Sequence, residues 1–261
     1  MKNHCDCEII SNELITRGDS QKIYDMRLYA PGIFKNEKPK PGQFVGLFTG
    51  MGEHLLPRPI SVCETFEEFE TVRLVYRAAG KGTKQIAELG GGGFIKVGGP
   101  HGNGFEIDNE SGAAHYLVGG GVGVPPLLFA AKNITGKKIA VLGFRDETFL
   151  LGDFEKYCDE VHVATEDGSL GFKGNCVSVL EKIFSRRESK IFACGPKPML
   201  KSLCGFAEEK NIPLQVSVEE RMACGIGSCL GCAAQVLENE IVNYKRVCKD
   251  GPVFDGRRVI L

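Results

Sequence analysis

Residues 224–232 read Cys-Gly-Ile-Gly-Ser-Cys-Leu-Gly-Cys, and a fourth cysteine follows after 15 further residues. The spacing C-x4-C-x2-C-x15-C is that of plant-type 2Fe–2S sites, in which three thiolates share one loop and the fourth is distant in sequence. Zinc sites usually combine two short C-x2-4-C pairs of cysteines. Here the three close cysteines can supply one such pair, and the fourth cysteine stands alone, so a second pair is missing. The pattern therefore favours an iron–sulfur cluster over a structural zinc site or unrelated buried thiols. The predicted ligands are Cys224, Cys229, Cys232 and Cys248.

Glycines in the same loop suit this interpretation. Gly225, Gly227 and Gly231 allow the backbone to bend closely around a cluster and to direct its N–H groups at the sulfurs. From about Leu214 the chain shows no periodicity long enough for a helix, and so short a segment cannot bury a core of its own. We therefore expect a metal to hold residues 213–261 together as a small domain.

The other seven cysteines are scattered along the chain, and we expect most of them to be buried small hydrophobes. Cys5 and Cys7 are expected to lie in a frayed, exposed terminus without an evident partner.

The whole chain has the composition of an ordinary soluble protein. Its 261 residues are 43% hydrophobic and 25% charged, which suffices for one large domain or two to three small ones. A net charge of −1 argues against nucleic acid or an anionic membrane as the main partner. The polar N-terminus is unlike a signal peptide, and the most apolar stretch, 116–131, is shorter than the ~20 residues of a membrane span. Together with an odd count of 11 cysteines, these features predict a cytoplasmic protein that enters no membrane.

Two different patterns of predicted secondary structure precede the cysteine loop. Residues 1–104 show short alternating strands between Gly/Pro turns, which indicates a small antiparallel barrel or sandwich with one short helix at 83–88. From residue 113 onward strands and helices alternate, as in βαβ units around a parallel sheet. The turn-rich segment 98–104 marks the boundary. The predicted domains are residues 1–104, 105–212 and 213–261. The predicted strands are 22–30, 43–48, 60–63, 72–76, 116–118, 139–142, 161–164 and 191–193, and the later helices are 125–132, 149–158, 175–184 and 197–210.

A glycine-rich turn in the second part predicts a nucleotide site. Residues 119–126, Gly-Gly-Gly-Val-Gly-Val-Pro-Pro, follow a predicted strand and open a helix, where the backbone can approach a pyrophosphate. A tight strand–helix turn without a ligand is the alternative interpretation. Residues 194–196, Cys-Gly-Pro, give independent support because they also end a strand before a helix, and the two turns would meet at the carboxyl ends of a parallel sheet.

A third motif begins a predicted barrel strand. Arg58-Pro59-Ile60-Ser61 on its own reads as a solvated surface charge followed by strand residues. Val75-Tyr76-Arg77 and Gly82-Thr83 follow at short intervals, however. A fixed guanidinium and a Gly–Thr turn would suit a diphosphate.

The order of these motifs resembles the ferredoxin–NADP reductase superfamily. R-P-x-S, V-Y-R, G-T, G-P-x-G-x-G-F, G-G-G-V-G-x-P-P, C-G-P-x-P-M and the four-cysteine loop succeed one another over nearly the whole chain. Within that superfamily, segments 218–232 and 247–254 are most similar to the electron-transfer subunits of NAD-linked (B-type) dihydroorotate dehydrogenases.

The resemblance implies a multidomain α/β and β fold: an antiparallel flavin-binding barrel, a parallel-sheet nucleotide-binding α/β domain and a small C-terminal 2Fe–2S domain. It implies that Arg58 faces the FAD diphosphate and that Ser61 lies near the flavin ring. The residues implied for FAD are Arg58, Pro59, Ile60, Ser61, Val75, Tyr76, Arg77, Gly82 and Thr83. Those implied for NAD are Gly120, Gly121, Gly123, Cys194, Gly195 and Pro196.

Two departures from the superfamily concern the flavin. Pro59-Ile60 stands where many members have a tyrosine beside the ring, which matches the dihydroorotate branch. The chain also ends in Arg258-Val259-Ile260-Leu261 rather than in an aromatic residue that covers the flavin. The resemblance therefore implies that another group shields the ring.

The resemblance further implies an electron relay in pyrimidine (UMP) biosynthesis. An FMN-containing catalytic subunit would oxidise dihydroorotate, and electrons would pass through the 2Fe–2S cluster to FAD and then to NAD⁺ within a heterotetramer of two of each subunit. This chain leaves no room for the ~250-residue (β/α)₈ barrel of that partner, and we find no isolated acid–base constellation. We therefore expect an NAD-reducing oxidoreductase subunit that does not itself oxidise the organic substrate. Its predicted contact with the partner is Arg221–Cys232.

Other assignments stay open from the residues alone. A related subunit serving a ferredoxin:NADP oxidoreductase, a sulfhydrogenase or a sulfite reductase would share these motifs. A non-enzymatic zinc- or nucleotide-binding regulator would lack flavin and iron. Arg145, after the second α/β strand, is placed to meet a 2′-phosphate, and Asp146 is placed to bind a ribose hydroxyl. The resemblance favours NAD.

Overall fold

A computed structural model describes residues 4–18, 20–50, 55–107, 114–185 and 189–261. It contains a closed six-stranded barrel, a seven-stranded sheet with helices on both faces, and a three-stranded sheet near the C-terminus. This is the fold class predicted from the sequence. No helix in these described stretches is long and apolar enough to cross a membrane.

The barrel is antiparallel throughout and encloses an apolar interior that includes Met26, Leu74 and Tyr76. Its strands are β1 (His4–Leu14), β2 (Ile23–Tyr29), β3 (Phe44–Phe48), β4 (Arg58–Phe66), β5 (Thr71–Arg77) and β6 (Phe94–His101). They close in the order β1–β2–β5–β4–β3–β6. The two barrel helices are α1 (Pro31–Asn36) and α2 (Lys81–Ala87). The sequence predicted only α2, since the six residues of α1 are too few for a periodic pattern and begin with a Pro–Gly pair typical of turns.

The expected fraying of Cys5 and Cys7 is wrong. Both lie in β1, where they pair with Val97 and Ile95 of β6. Cys7 is fully buried and Cys5 is half-buried. Because β1 is hydrogen-bonded to both β2 and β6, the barrel closure orders this segment.

The second part of the chain builds a parallel sheet. Its strands are β7 (Ala114–Gly120), β8 (Lys137–Phe144), β9 (Glu160–Thr165), β10 (Phe172–Lys173), β11 (Ser189–Cys194) and β12 (Leu214–Ser217). Its helices are α3 (Val124–Asn133), α4 (Leu151–Tyr157), α5 (Cys176–Ile183) and α6 (Lys197–Lys210). The spatial order is β10–β9–β8–β7–β11–β12, so the chain reverses its direction of progress between β7 and β11. Each strand and helix predicted here overlaps an observed one.

The C-terminal segment is tied back into that sheet. Its strands are β13 (Ala233–Glu238), β14 (Ile241–Arg246), β15 (Val253–Asp255) and β16 (Val259–Ile260). Strands β14, β13 and β16 form the small sheet, while β15 pairs antiparallel with β12 at the edge of the large one. Residues 218–252 are therefore an excursion between two paired strands. The domain limits at 104/105 and 212/213 stay a prediction.

A buried charge network joins the barrel to the helices of the second part. Arg73 of β5 pairs with Asp25 at 2.7 Å and with Asp153 of α4 at 3.0 Å. Glu64 of β4 accepts from Lys132 of α3 at 2.9 Å and lies 3.4 Å from Arg73. Mutual pairing offsets the cost of burying these charges. The network therefore holds the barrel against α3 and α4.

Candidate cofactor sites

The four predicted cluster ligands come together as two pairs of thiols. Cys224 lies beside Cys229, and Cys232 lies beside Cys248, because the N–H of the second residue of each pair donates to the sulfur of the first. Cys232 and Cys248 are buried, whereas Cys229 is exposed. Two pairs fit a binuclear cluster held by four cysteines, with two thiolates for each iron.

Backbone N–H groups converge on these sulfurs, and each sulfur accepts at least one. The bonds run from Gly227 to Cys248 at 3.1 Å, and from Cys229 to Cys224, Gly231 to Cys229 and Cys248 to Cys232 at 3.4 Å each. Such donors offset the negative charge of cluster-bound thiolates and tune the potential of the bound group. The donor set therefore fits a 2Fe–2S cluster.

Left-handed backbone positions create this arrangement. Gly225 has φ +66° and Gly227 has φ +83°, a region that glycine adopts without steric cost. Gly231 is not in this region, but a Cβ there would approach the Cys229 sulfur to 3.4 Å. Leu230 also adopts a left-handed conformation, with φ +59°, which could not be predicted from the sequence because leucine rarely adopts it.

The thiols differ in acidity. Partial burial alone would raise the pKa of Cys224, but N–H groups of the following residues, 226, 228 and 229, lower it to about 6. At Cys248, burial and contact with Cys232 raise the pKa to about 12. The Cys248 thiol therefore keeps its proton at neutral pH, and the positive charge of a bound metal would displace it.

A pocket lies between the cysteine loop and the barrel. It is lined on the barrel side by Phe44, Gly46, Pro57, Pro59 and His101, and on the loop side by Met222 and Gly225. Pro59 belongs to the motif predicted to line FAD, and Gly225 directly follows the first cluster ligand. The structure therefore brings two separately predicted cofactor sites to one pocket.

Arg58 and Gly82 of the predicted FAD motif lie against each other. A Cβ built on Gly82 would be only 2.7 Å from Cζ of Arg58, so this position admits the guanidinium because it lacks a side chain. Arg58 is the first residue of β4 and Gly82 is the second residue of α2, so the packing of these two elements brings the distant residues together. A guanidinium held in this way fits a diphosphate.

Other residues of that motif have structural partners. The Thr83 hydroxyl accepts from the N–H groups of Ala79 and Gly80 at 3.0 and 3.1 Å and so orders the turn before α2. Tyr76 is 2% exposed inside the barrel and donates to Asn12 at 3.0 Å. Val75 is buried on the opposite face of β5, and Arg77 is exposed. Ile60 and Ser61 are half-buried in β4.

The two glycine turns meet at the point where the sheet reverses. Gly119 at the end of β7 pairs with Cys194 at the end of β11. A Cβ on Gly123 would lie 2.6 Å from the Gly195 nitrogen, so these turns touch only because both positions lack side chains. Gly121 has φ +53° and no neighbour within 4 Å of a built Cβ. An open glycine at such a crevice is where parallel α/β sheets bind nucleotides.

Charged residues missed by sequence reasoning flank this crevice. Glu166 and Asp167 follow β9, and the Glu166 N–H donates to the Arg145 carbonyl at 3.0 Å. Asp146, on the neighbouring strand end, accepts from the Glu147 N–H at 2.7 Å. The backbone of Arg145 therefore lies beside that of the acidic residues that follow β9. Glu166 and Asp167 follow β9 just as Arg145 and Asp146 follow β8, and this shared position after neighbouring parallel strands was the sequence signal that could have identified them.

Comparisons with known proteins assign the chain to a protein family. The iron–sulfur cluster binding domain of dihydroorotate dehydrogenase B matches residues 219–260. The electron transfer subunit of dihydroorotate dehydrogenase B (NAD(+)) from Caldanaerobacter subterraneus subsp. tengcongensis is 44% identical, covering 97% of this chain and 96% of that protein. The corresponding subunit from Fusobacterium nucleatum subsp. nucleatum is 40% identical, with 95% of each chain covered. The chain belongs to this family of electron transfer subunits.

Solved structures agree with this assignment. A structure described as the NADH-dependent reduced ferredoxin-NADP oxidoreductase is 31% identical, with a TM-score of 0.84 over 97% of this chain and 89% of that chain. Ferredoxin-NADP+ reductase from Plasmodium falciparum shares the fold at 17% identity, with a TM-score of 0.68 over 84% of this chain and 97% of that chain. Membership of the family confirms the resemblance and the oxidoreductase class, and it agrees with the predicted 2Fe–2S, FAD and NAD cofactors.

Proposed function

We propose that the chain is the NAD-reducing electron-transfer subunit of a dihydroorotate dehydrogenase B complex. It would receive electrons from an FMN-containing subunit that oxidises dihydroorotate in pyrimidine biosynthesis. The observation that carries this proposal is the pocket shared by Pro59 of the barrel and Gly225 of the cysteine loop. Adjacent cofactor sites are what an internal electron relay requires.

Each part of the chain has a separate task in this proposal. When bound, the cluster supplies one-electron transfer, whereas FAD couples one-electron transfer to hydride transfer with NAD⁺. The four cysteines and their N–H donors hold the cluster, Arg58 binds the FAD diphosphate, and Gly121 leaves room for the dinucleotide. Phe44, His101 and Met222 line the pocket between the first two sites.

The FAD assignment is tested by a matched pair of glycine variants. Gly82→Ala places a methyl group on the Arg58 guanidinium, whereas a Cβ at Gly80 meets nothing within 4 Å. We expect Gly82→Ala to lower the FAD content of the purified protein at least tenfold, equivalent to about 1.4 kcal/mol, while Gly80→Ala retains it. Equal flavin absorbance in the two variants would place the diphosphate elsewhere.

The partner contact is proposed at the cysteine loop, Arg221–Cys232. Ile226 and Leu230 are 44% and 65% exposed there, beside the exposed Cys229. Exposed apolar side chains are common in protein interfaces, and a partner seated here would lie close to the cluster. We propose a heterotetramer of two of each subunit. Leu230→Asp should weaken assembly, measured by size-exclusion chromatography, without loss of FAD; unchanged assembly would exclude this surface.

Reconstitution tests the whole proposal. The chain is co-expressed with a candidate FMN subunit and purified anaerobically, and NAD⁺ reduction is followed at the NADH absorbance. We expect reduction only when dihydroorotate is added, together with a visible spectrum of flavin and iron–sulfur cluster. A colourless protein containing zinc and no iron would refute the proposal.

The 31% identity to the NADH-dependent reduced ferredoxin-NADP oxidoreductase structure supports a second candidate, a subunit that exchanges electrons with ferredoxin. The same reconstituted complex distinguishes the two. Activity with reduced ferredoxin and none with dihydroorotate would favour the second candidate.

A further inference from the structure

Two thiols outside the cluster site touch each other in the barrel. Cys5 and Cys7 are alternate residues of β1, so their side chains point to the same face of the strand. Their Sγ atoms are 3.5 Å apart. Cys5 is half-buried and packs against Gly32 of α1; a Cβ built on Gly32 would lie 2.8 Å from the Cβ of Cys5. Cys7 is fully buried. One thiol of the pair is therefore accessible and the other is protected.

Their contact makes the two thiols chemically unequal. The hydrogen bond from Cys7 lowers the pKa of Cys5 to about 7, against the opposing effects of partial burial and Asp6. The same hydrogen bond, followed by burial, raises the pKa of Cys7. Near neutral pH, Cys5 is thus partly thiolate, the nucleophilic form, while Cys7 remains a protonated thiol.

Other cysteines away from the cluster do not share this environment. Burial is the first cause that raises their pKa, to about 11 or 12, and it keeps their thiols protonated and unreactive at neutral pH. These residues are Cys158, Cys176, Cys194 and Cys204.

We propose that Cys5 and Cys7 form a reversible redox pair that hydroperoxides oxidise to an intrastrand disulfide. Cys5 is the reacting residue, and Cys7 is the resolving one. This modification site is separate from the cluster ligands and from both nucleotide motifs.

The chemistry balances with hydrogen peroxide as the oxidant. The Cys5 thiolate attacks one peroxide oxygen, the O–O bond breaks, and the sulfur becomes a sulfenic acid while the departing hydroxide takes up a proton. Cys7 then attacks the Cys5 sulfur, losing its own proton; the S–S bond forms, the S–O bond breaks, and water leaves. Two thiols and one peroxide thus give one disulfide and two waters. Once Cys5 is a neutral sulfenic acid, the thiolate that raised the pKa of Cys7 is gone.

Strand geometry indicates that the disulfide is easily reversed. Alternate residues of an extended strand have Cα atoms ~6.6 Å apart. This lies near the upper limit, ~6.8 Å, of the usual range for disulfides. The bond would therefore strain the pairing of Cys5 and Cys7 with Val97 and Ile95 of β6, and strained disulfides are readily reduced. A dithiol, which leaves as its own disulfide, or two molecules of glutathione, which leave as glutathione disulfide, would restore the two thiols.

The experiment uses the full chain with its cofactors, purified anaerobically. It is treated with one equivalent of hydrogen peroxide while the cluster absorbance is recorded. The protein is then denatured, so that buried thiols become accessible, blocked with N-ethylmaleimide, digested with trypsin and analysed by mass spectrometry. We expect the N-terminal peptide to be two hydrogens lighter and unalkylated, and glutathione to restore two alkylation sites. Cys204 serves as the internal control and should stay fully alkylated.

Two variants separate the proposed roles. Cys5→Ser removes the reacting thiol, so the buried Cys7 should remain reduced. Cys7→Ala removes the resolving thiol, so Cys5 should accumulate as a sulfenic acid that dimedone traps. Full alkylation of both cysteines after peroxide, or oxidation of Cys204 as fast as Cys5, would overturn the proposal.

Discussion

Thiols meet in two regions of this protein, the cysteine loop and strand β1, and their surroundings differ. In the loop each of the four sulfurs accepts a backbone N–H. In β1 the backbone is engaged in ladders with β2 and β6, and the sulfurs contact each other and the Cys5 carbonyl. The loop suits a cluster because its backbone has left regular pairing and turned its donors inward. Proximity of thiols alone does not make such a site.

Removing a single thiol from each region gives the largest expected contrast. Cys232→Ala deletes one of two ligands to an iron, so the purified protein should contain almost no iron. Cys7→Ala removes a buried thiol of the barrel and should leave the iron content unchanged. Iron and labile sulfide assays on anaerobic preparations measure both. Equal iron loss in the two variants would break the distinction between the regions.

A smaller effect is expected from the loop backbone. Gly227→Ala forces a side chain into the left-handed region at φ +83° and against Lys249, at a cost of about 1–2 kcal/mol. The N–H that serves Cys248 would shift, so the cluster should be lost several-fold faster to a chelator. Gly231→Ala is the matched control, because its built Cβ stays 3.4 Å from the nearest atom. Similar rates for both variants would show that positive φ is unimportant here.

The pH dependence of alkylation sharpens the chemical contrast within the barrel region. Only the thiolate reacts with iodoacetamide, so the rate at Cys5 should rise with pH and reach half its maximum at about pH 7. Cys204, whose pKa burial raises to about 11, should react slowly throughout the neutral range. Peptide mass spectrometry between pH 5 and 9 measures both. In the Cys7→Ala variant the Cys5 midpoint should move upward, and an unmoved midpoint would exclude the hydrogen bond as its cause.

The smallest expected effect concerns Leu230, a loop residue held at φ +59°. Leu230→Gly relieves the left-handed conformation, though it adds freedom to the unfolded chain, so the net gain in stability should be only roughly 0.5–1 kcal/mol. Thermal unfolding of the isolated holo-subunit measures it. A fall in melting temperature would mean that the Leu230 side chain contributes packing that outweighs its backbone strain.

A site could be predicted from the sequence when its residues lie close together along the chain, and could not when they are distant. The cysteine loop was predictable because three ligands and the turning glycines lie within nine residues. The fold class followed from strand and helix periodicity for the same local reason. Gly82 and Arg58 are 24 positions apart, and their direct contact depends on how β4 and α2 pack, which no local pattern contains.

Failures of prediction had the same origin. Cys5 and Cys7 looked frayed because a terminus was judged without β6, the strand that pairs with it. The assignment of Tyr76 to the FAD site stays a prediction; alternation along β5 turns its ring into the barrel, where Asn12 binds its hydroxyl. Glu166 and Asp167 escaped notice because their relevance depends on β8 and β9 being neighbours.

The pairing of β12 with β15 has a consequence for how this chain can be divided. The cysteine loop leaves the large sheet at β12 and returns to its edge at β15, so it is fastened at both ends rather than appended. Cutting the chain before residue 214 removes two strands of the large sheet, β12 and β15, together with the metal-binding unit, and cutting it after the last ligand still removes β15 from the sheet. The cluster-binding unit is thus joined to the large sheet at both of its ends, and no single truncation separates it intact from that sheet.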